Sequence, residues 1–210
     1  RANGVGTTYA YDGIGRLITA TAGGQVHTTV DDTCSNGKGR VCSLVAPNST
    51  VNYTYMQDGR VASRGDVITV NGSQTSWTTG DGYDTYGRLN RIGYPNSTQS
   101  VNYSYTDDQP SAMTMTISGV TSNVVTGLTY APFNGPIEGW TYGNGLTRSK
   151  TYDLNYRLSA LATKNGATAL QNLSYVFNAN DLITSFTNSA DATKNQSFGY
   201  DELSRVISAT

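Results

Sequence analysis

The sequence predicts an all-β protein built from tandem antiparallel β-hairpins, and three observations lead to this. Its 210 residues include 30 Thr, 15 Tyr and 23 Gly, and Thr and Tyr favour strands while Gly favours turns. A signature of the form Tyr-Asp, three variable residues, Arg, and then Leu or Val recurs along the chain. Apolar residues alternate with polar ones before several signatures, as in Val51, Tyr53 and Tyr55, and this period is typical of strands.

The signature defines the organisation of the chain. Nearly intact copies begin at four tyrosines, which are Tyr11, Tyr83, Tyr152 and Tyr200. Copies that keep only part of the pattern begin at Val30, Tyr55, Tyr105, Tyr130 and Phe177. We therefore predict one repeat array over residues 1–210, with repeats starting near residues 11, 30, 55, 83, 105, 130, 152, 177 and 200. The residues expected to define the repeat structurally are Tyr11, Asp12, Gly15, Arg16, Tyr55, Arg60, Tyr83, Asp84, Gly87, Arg88, Tyr152, Asp153, Arg157, Phe177, Tyr200, Asp201 and Arg205.

Each signature is predicted to be a strand end, a tight turn and the start of a new strand. The Asp side chain can accept hydrogen bonds from backbone N–H groups two residues on. Gly15, Gly59 and Gly87 lie where a left-handed residue would close the turn. Other turn sequences, such as Asn71-Gly72 and Asn165-Gly166, fall midway between signatures. Nine repeats of two strands give roughly 18 strands, and a sheet that wide is expected to curve.

Two cysteines lie in the second repeat. Cys34 and Cys42 flank Asn36-Gly37, and an Asn-Gly pair favours a tight reversal that could bring the two sulfurs together. A disulfide would imply an oxidising compartment, whereas the alternative is two free thiols at the base of a hairpin. His27 is the only histidine, so we expect no metal site. Because the sequence begins with Arg1, we expect it to be a fragment of a longer chain.

The charge and hydropathy of the sequence argue against nucleic-acid binding and against a membrane-spanning helix. The 14 Lys and Arg residues balance 15 Asp and Glu, giving a net charge of −1. Without a basic excess the chain is not expected to bind nucleic acid. The sequence has no apolar run long enough for a membrane helix, so we expect no membrane span.

The repeated Tyr, Asp and Arg are expected to be architectural, and we predict no catalytic residue and no cofactor. A residue that recurs once in every structural unit is more readily explained as part of the repeated structure than as part of a single active site. Glu138 and Glu202 could supply a glycosidase carboxylate pair, which would need a cleft to hold both. Trp77 and Trp140 could stack on sugars, although packing on the sheet is the simpler interpretation.

These signatures resemble the YD repeats of the Rhs family. That family includes bacterial polymorphic toxins, the B and C components of insecticidal toxin complexes, and the animal teneurins. The segment from Trp140 to Thr147, leading into Tyr152-Asp153, is also similar to such arrays. The resemblance covers essentially the whole chain. It implies a spiral strip of hairpins that winds into a hollow shell, closed in many members by an autoproteolytic core with an Asp-Pro motif, a dipeptide that this sequence lacks.

The resemblance also implies a function. We expect a structural wall segment of a shell that encapsulates a C-terminal toxin for secretion and delivery, in a secreted or cell-surface bacterial protein. Its partners would be the rest of the parent polypeptide and the toxin cargo. The alternative is a cell-surface adhesion or carbohydrate-binding module that contacts glycans or a cell surface. A glycan hydrolase is a third and weaker interpretation.

Overall fold

The computed structural model describes residues 4–96 and 98–210. Ser97, in the second of the two Pro-Asn-Ser-Thr segments, lies outside the described residues, as does Arg1. The described chain contains eighteen strands and one short 3-10 turn, Ala192–Lys194. The strands are β1 (Thr7–Tyr11), β2 (Leu17–Ala22), β3 (Gln25–Asp31), β4 (Val41–Ala46), β5 (Ser49–Tyr55), β6 (Val61–Val70), β7 (Ser73–Tyr83), β8 (Leu89–Gly93), β9 (Gln99–Thr106), β10 (Gln109–Ile117), β11 (Val120–Tyr130), β12 (Ile137–Tyr142), β13 (Thr147–Tyr152), β14 (Leu158–Asn165), β15 (Thr168–Phe177), β16 (Ile183–Asn188), β17 (Gln196–Tyr200) and β18 (Val206–Ala209).

The chain divides into two compact units. The first contains the residues up to Asn102 together with 116–120, and the second contains 103–115 and 121–210. Within the first unit, β1 to β8 and the start of β9 pair in sequence order, each antiparallel to the next. The second unit contains the end of β9, most of β10 and β11, and β12 to β18, in the same order. The predicted fold class, all-β with tandem antiparallel hairpins and about eighteen strands, is confirmed. The curved or spiral course of the strip stays a prediction.

The odd-numbered strands end at the signatures. Seven of the predicted repeat starts are the last residue of a strand, namely Tyr11, Tyr55, Tyr83, Tyr130, Tyr152, Phe177 and Tyr200. In most copies the following strand begins directly after the signature Arg, as β2 does at Leu17. The pairing register shifts at the end of the strand, for example between Gly82 and Tyr83, so each of these hairpins carries a β-bulge beside its turn.

Several turns at the other end of the hairpins are shorter. Asn71 and Gly72 join β6 to β7, and both have positive φ, at 51° and 80°. Two consecutive residues of this kind make the type I′ turn that matches the twist of paired strands. The same geometry joins β9 to β10 through Asp107 and Asp108, so the weak copy at Tyr105 has a two-residue turn in place of the signature turn.

Very little of the described chain is buried. The buried apolar side chains are Cys42, Ala131 and Leu161, and the buried polar ones are Ser100 and Asn188. A domain of this length usually buries a much larger core. Contacts between neighbouring strands and turns must therefore carry most of the stability of each unit, as in other repeat arrays. In residues 4–96 and 98–210 no helix is long and apolar enough to cross a membrane.

Candidate functional site: the Tyr-Asp-Arg signature turns

Two backbone hydrogen bonds close each intact signature turn. In the first copy, the Asp12 N–H donates to the Arg16 carbonyl over 2.9 Å, and the Gly15 N–H donates to the Asp12 carbonyl over 3.1 Å. The turns that follow Tyr83, Tyr152 and Tyr200 have the same two bonds. The residue before the Arg is left-handed in all of them, and in the last two it is Tyr156 or Ser204 in place of Gly. Glycine is therefore preferred at this position without being required.

The Asp carboxylate fixes both the turn and the Arg side chain. Oδ1 of Asp84 accepts the N–H groups of Tyr86 and Arg88, each at 2.9 Å, and its Oδ2 accepts Arg88 Nε at 2.7 Å. Asp12, Asp153 and Asp201 make the same three bonds to their own turns. The carboxylate thus satisfies backbone donors that the tight turn leaves unpaired and holds the guanidinium in one orientation.

These bonds lower the pKa of the signature carboxyls. For Asp12 the side-chain hydrogen bond from Arg16 is the main cause, and the Arg16 backbone N–H adds to it. For Asp84 and Asp153, desolvation acts to raise the pKa, and the backbone and side-chain bonds from the Arg outweigh it. The carboxyls are therefore ionised at neutral pH, which maintains the ion pair with the Arg.

The eighth repeat shows which part of the signature closes the turn. Asn178 stands at the Asp position, and its Oδ1 still accepts the N–H groups of Asn180 and Leu182 at 2.9 and 3.0 Å. Leu182 stands at the Arg position, so this copy has no ion pair of its own. A single side-chain oxygen is enough to close the turn, and the Arg must serve another purpose.

For two of the arginines that purpose is contact with the following repeat, whereas Arg88 lies over the ring of Tyr86 in its own turn. The guanidinium of Arg60 lies over the ring of Tyr83, with its central carbon 4.4 Å from the ring centroid. Arg157 lies over Phe177 in the same way, at 4.7 Å. Arg60 also lies against Gly87, where an added β-carbon would be 2.5 Å from Nη1. Each of these arginines is held by a carboxylate near its own turn and stacks on the aromatic residue of the next repeat.

Ion pairs between repeats reinforce this contact in two places. Arg16 donates from Nη2 to Asp32 Oδ2 in the second repeat, at 2.7 Å. Arg157 donates from Nη1 to Asp181 Oδ1 in the eighth repeat, at 2.5 Å.

The signature Tyr makes the reciprocal contact with the preceding repeat. The Tyr83 hydroxyl donates to the carbonyl of Val61, the residue after Arg60, over 2.8 Å. Tyr55, Tyr130, Tyr152 and Tyr200 make equivalent bonds to Val41, Pro110, Ile137 and Ile183, at 2.6 to 3.0 Å. Burial raises the pKa of Tyr83, Tyr130 and Tyr152, so these hydroxyls remain protonated donors.

The second repeat uses a longer turn. Asp31, one residue after the predicted start, takes the Tyr position at the end of β3, and Asp32 takes the Asp position. The Asp32 N–H donates to the Arg40 carbonyl over 3.1 Å, which is the bond that closes every signature turn. Arg40 lies over the Tyr55 ring at 5.6 Å and is therefore the signature Arg of this repeat, which the sequence analysis missed. The missing signal was the Gly-Arg-Val sequence at 39–41, which matches Gly-Arg-Leu and Gly-Arg-Val in other copies.

A disulfide closes this longer turn. Cys34 and Cys42 are bonded, with Sγ atoms 2.10 Å and Cα atoms 5.4 Å apart. The enclosed loop contacts the next repeat directly. The Tyr55 N–H donates to the Ser35 carbonyl over 3.3 Å, and Asn36 Nδ2 donates to the Tyr55 carbonyl over 2.9 Å.

The third repeat modifies the ion pair. Met56 stands at the Asp position, and Asp58 pairs with Arg60 in its place. The side-chain hydrogen bond from Arg60, with its backbone N–H, lowers the pKa of Asp58 to about 2.

The tryptophans and glutamates considered as sugar-binding or catalytic residues lie on different elements of the structure. Lys150 Nζ lies over the Trp140 ring at 5.2 Å and covers that face, whereas Trp77 is 42% exposed. Glu138 lies in β12 and Glu202 in the last signature turn. In the described part of the chain, no three His, Cys, Asp or Glu side chains are grouped in a way that would hold a metal ion.

Comparisons with known proteins agree with the repeat architecture. No protein-family model matches the chain, and no curated protein matches it. Solved structures do match. The Photorhabdus luminescens Tc holotoxin pore matches with a TM-score of 0.75 and 17% identity over 97% of this chain. TcdB2-TccC3-Cdc42, and TcdB2-TccC3 without its hypervariable C-terminal region, match with a TM-score of 0.75 over 97% of this chain, at 18% and 17% identity respectively.

The chain has the fold of the segment that it matches in these Tc toxin proteins. It spans 12–13% of their length. The hairpin-repeat fold implied by the resemblance to YD repeats is confirmed by this likeness.

The close contact between Arg60 and Gly87 can be tested by substituting this glycine, with Gly15 as the matched control. Gly15 and Gly87 have nearly the same φ, at 86° and 85°, but an added β-carbon meets nothing within 4 Å at Gly15. Gly15→Ala should therefore cost only the left-handed strain, roughly 1–2 kcal/mol. Gly87→Ala should cost more, because it also displaces Arg60. If the two variants lost the same free energy of unfolding in urea, the contact of Arg60 with this turn would contribute nothing to stability.

The lowered pKa values predict loss of stability in acid. A carboxyl whose pKa is lower in the fold than in the unfolded chain, where it is about 3.9, stabilises the fold at higher pH. That contribution disappears as the pH falls through the folded pKa. Hydrogen exchange of the Asp84–Leu89 amides, corrected for intrinsic rates, should therefore quicken as the pH drops below about 4. Asp84→Asn, which resembles Asn178, should show a flatter pH dependence, and an unchanged dependence would contradict the assignment.

Reduction of the disulfide should loosen the contact between the second and third repeats. By the chain-entropy relation, loss of a disulfide that closes a loop of this size lowers the free energy of unfolding by about 2–3 kcal/mol. With dithiothreitol, the Tyr55 amide should lose its protection from hydrogen exchange, while the Asp84 amide, which donates to the Arg88 carbonyl over 2.9 Å, serves as an unaffected control. Protection of Tyr55 that survives full reduction would show that the loop is held without the disulfide.

Proposed function

We propose that this chain is a wall segment of an Rhs-type shell that encloses a C-terminal toxin within a toxin complex. The observation that carries the proposal is the coupling of successive repeats in the described chain, through Arg stacking in three copies and through Tyr hydroxyl hydrogen bonds in five. Contacts of this kind can join one hairpin after another into a strip that has no conventional buried core. The likeness in fold to Tc holotoxin proteins supports the same role, as does the resemblance of the signatures to YD repeats.

The proposed mechanism is exclusion. In each unit the strands pair with their neighbours and leave few free backbone groups, so a strip of them can form a continuous barrier. The signature residues are occupied in turn closure and in contacts between repeats. This supports a structural role for them.

The proposed setting is a secreted bacterial protein. The Cys34–Cys42 disulfide is compatible with an oxidising compartment. The partners would be other segments of the parent polypeptide, of which this chain would be one part, and the toxin that the parent carries.

A second candidate function, carbohydrate binding, rests on one groove in the first unit. The half-exposed Trp77 and Tyr94 line it with Arg91, and its volume is about 500 Å³. Aromatic rings beside a guanidinium are common in sugar sites. Binding of the chain on a glycan array that Trp77→Ala abolishes would favour this function. If the chain bound no glycan on the glycan array, carbohydrate binding would be excluded.

The wall proposal predicts protection of a cargo. In limited proteolysis of the full parent protein, the segment downstream of the array should be cleaved far more slowly than the same segment in isolation. Arg60→Ala should speed this cleavage because it removes a contact between repeats. Arg64→Ala is the matched control, since Arg64 is exposed and pairs with Asp66 away from the signatures. A downstream segment cleaved equally fast in the parent and in isolation would contradict encapsulation.

A further inference from the structure

A notch separates consecutive signature turns. The paired residues of β6 and β7 end at Ser63 and Gly80, although β6 begins at Val61 and β7 continues to Tyr83. The strands therefore diverge beside the turns. The opening has a volume of about 490 Å³ and is lined by Met56, Gln57, Asp58, Arg60, Tyr83 and Asp84. We call it the Tyr83 notch.

The backbone of Tyr83 faces this notch. Residues in an antiparallel pair alternate between hydrogen-bonded and non-bonded positions. The Asp84 N–H is bonded to Arg88, so Tyr83, which lies opposite Leu89, directs its own N–H and carbonyl away from β8. The Tyr83 hydroxyl donates to the Val61 carbonyl. Among the described residues, no turn or loop bonds to the Tyr83 N–H or carbonyl.

The equivalent notch one repeat earlier is occupied. At Tyr55, the Cys34–Cys42 loop fills the space between the turns and bonds to the same two backbone groups. Its Ser35 carbonyl accepts the Tyr55 N–H, and its Asn36 side-chain amide donates to the Tyr55 carbonyl. The chain thus shows what a notch of this shape accepts, which is a compact polypeptide loop.

We propose that the Tyr83 notch is a docking site for a polypeptide loop from a partner protein. The loop would present a main-chain carbonyl to the Tyr83 N–H and, from the next residue, a carboxamide N–H to the Tyr83 carbonyl. This inference does not depend on the wall proposal, because it concerns one edge of the first unit and no enclosed cargo.

The charges of the notch favour a neutral or basic loop. Asp58 and Asp84 carry carboxylates on its lining, and Arg60 is already paired with Asp58. An anionic ligand such as phosphate would meet two carboxylates and an engaged guanidinium. The loop that fills the Tyr55 notch carries Lys38 and Arg40, in keeping with this charge pattern.

A second notch provides an internal control. The opening at Tyr152 is narrower, about 270 Å³, and the Tyr156 hydroxyl reaches across it to the Pro132 carbonyl at 3.4 Å. A side chain from the following turn thus takes part of the space that a loop would need. Tyr152 is therefore not expected to accept a loop.

The test uses the chain's own loop as the probe. A disulfide-closed peptide with the sequence of residues 32–42 is titrated into isotope-labelled protein, and backbone amide shifts are followed by NMR. The Tyr83 amide should shift in a saturable way, while Tyr55, already occupied, and Tyr152 stay unchanged. A peptide with Asn36→Asp loses the amide donor and adds a charge, so it should bind at least tenfold more weakly.

A protein variant supplies the reciprocal arm. In Cys34→Ser/Cys42→Ser protein, the internal loop is released, and the added peptide should then shift Tyr55 as well as Tyr83. The proposal is overturned if Tyr83 shows no saturable shift, or if the Asn36→Asp peptide binds equally well. It is also overturned if inorganic phosphate or N-acetylglucosamine, added alone, reproduces the shift at Tyr83.

Discussion

The contact on which the coupling of repeats depends is the stacked guanidinium of the signature Arg, which in the third and seventh repeats faces two repeats at once. Arg157 is held on one side by Asp153 in its own turn, at 2.6 Å, and lies on the other side over Phe177 of the next repeat. Arg60 connects Asp58 to Tyr83 in the same manner. So few side chains of the described chain are buried that packing within a hairpin cannot hold neighbouring hairpins in place. Backbone ladders join neighbouring hairpins, and the fixed cations between repeats add to them.

The signature residues divide into two tasks that the variant copies separate. Asn178 closes its turn with one oxygen, and Leu182 then provides no cation for a further repeat. Phe177 lacks a hydroxyl yet still receives Arg157. Turn closure thus does not need the ion pair, and at Met56 the turn closes without any side-chain acceptor at the Asp position, while coupling needs the Arg and an aromatic ring one repeat later. A copy can lose one task and keep the other, which explains how degenerate signatures persist in a regular array.

Much of this could be predicted from the sequence, because the decisive interactions are local. The Asp-to-backbone bonds at Asp84 span four residues or fewer, and so the spacing of the motif determined the strand ends at Tyr83 and Leu89. The partners of Arg60 and of the Tyr83 hydroxyl were beyond prediction, since they depend on how adjacent hairpins diverge at the bulge. Arg40 was missed for a related reason. A nine-residue turn replaces the usual five, and only the fold shows that Arg40 returns to the signature position.

The central claim, that the Arg couples neighbouring repeats through the next aromatic ring, is tested most directly by a double-mutant cycle. Arg60→Ala, Tyr83→Leu and the double variant would be compared with the wild type by urea unfolding. If the two side chains act through each other, the double variant loses clearly less stability than the two single variants together. Strict additivity of the two losses would mean that the cation and the ring do not interact, and the account of how the repeats hold together would be wrong.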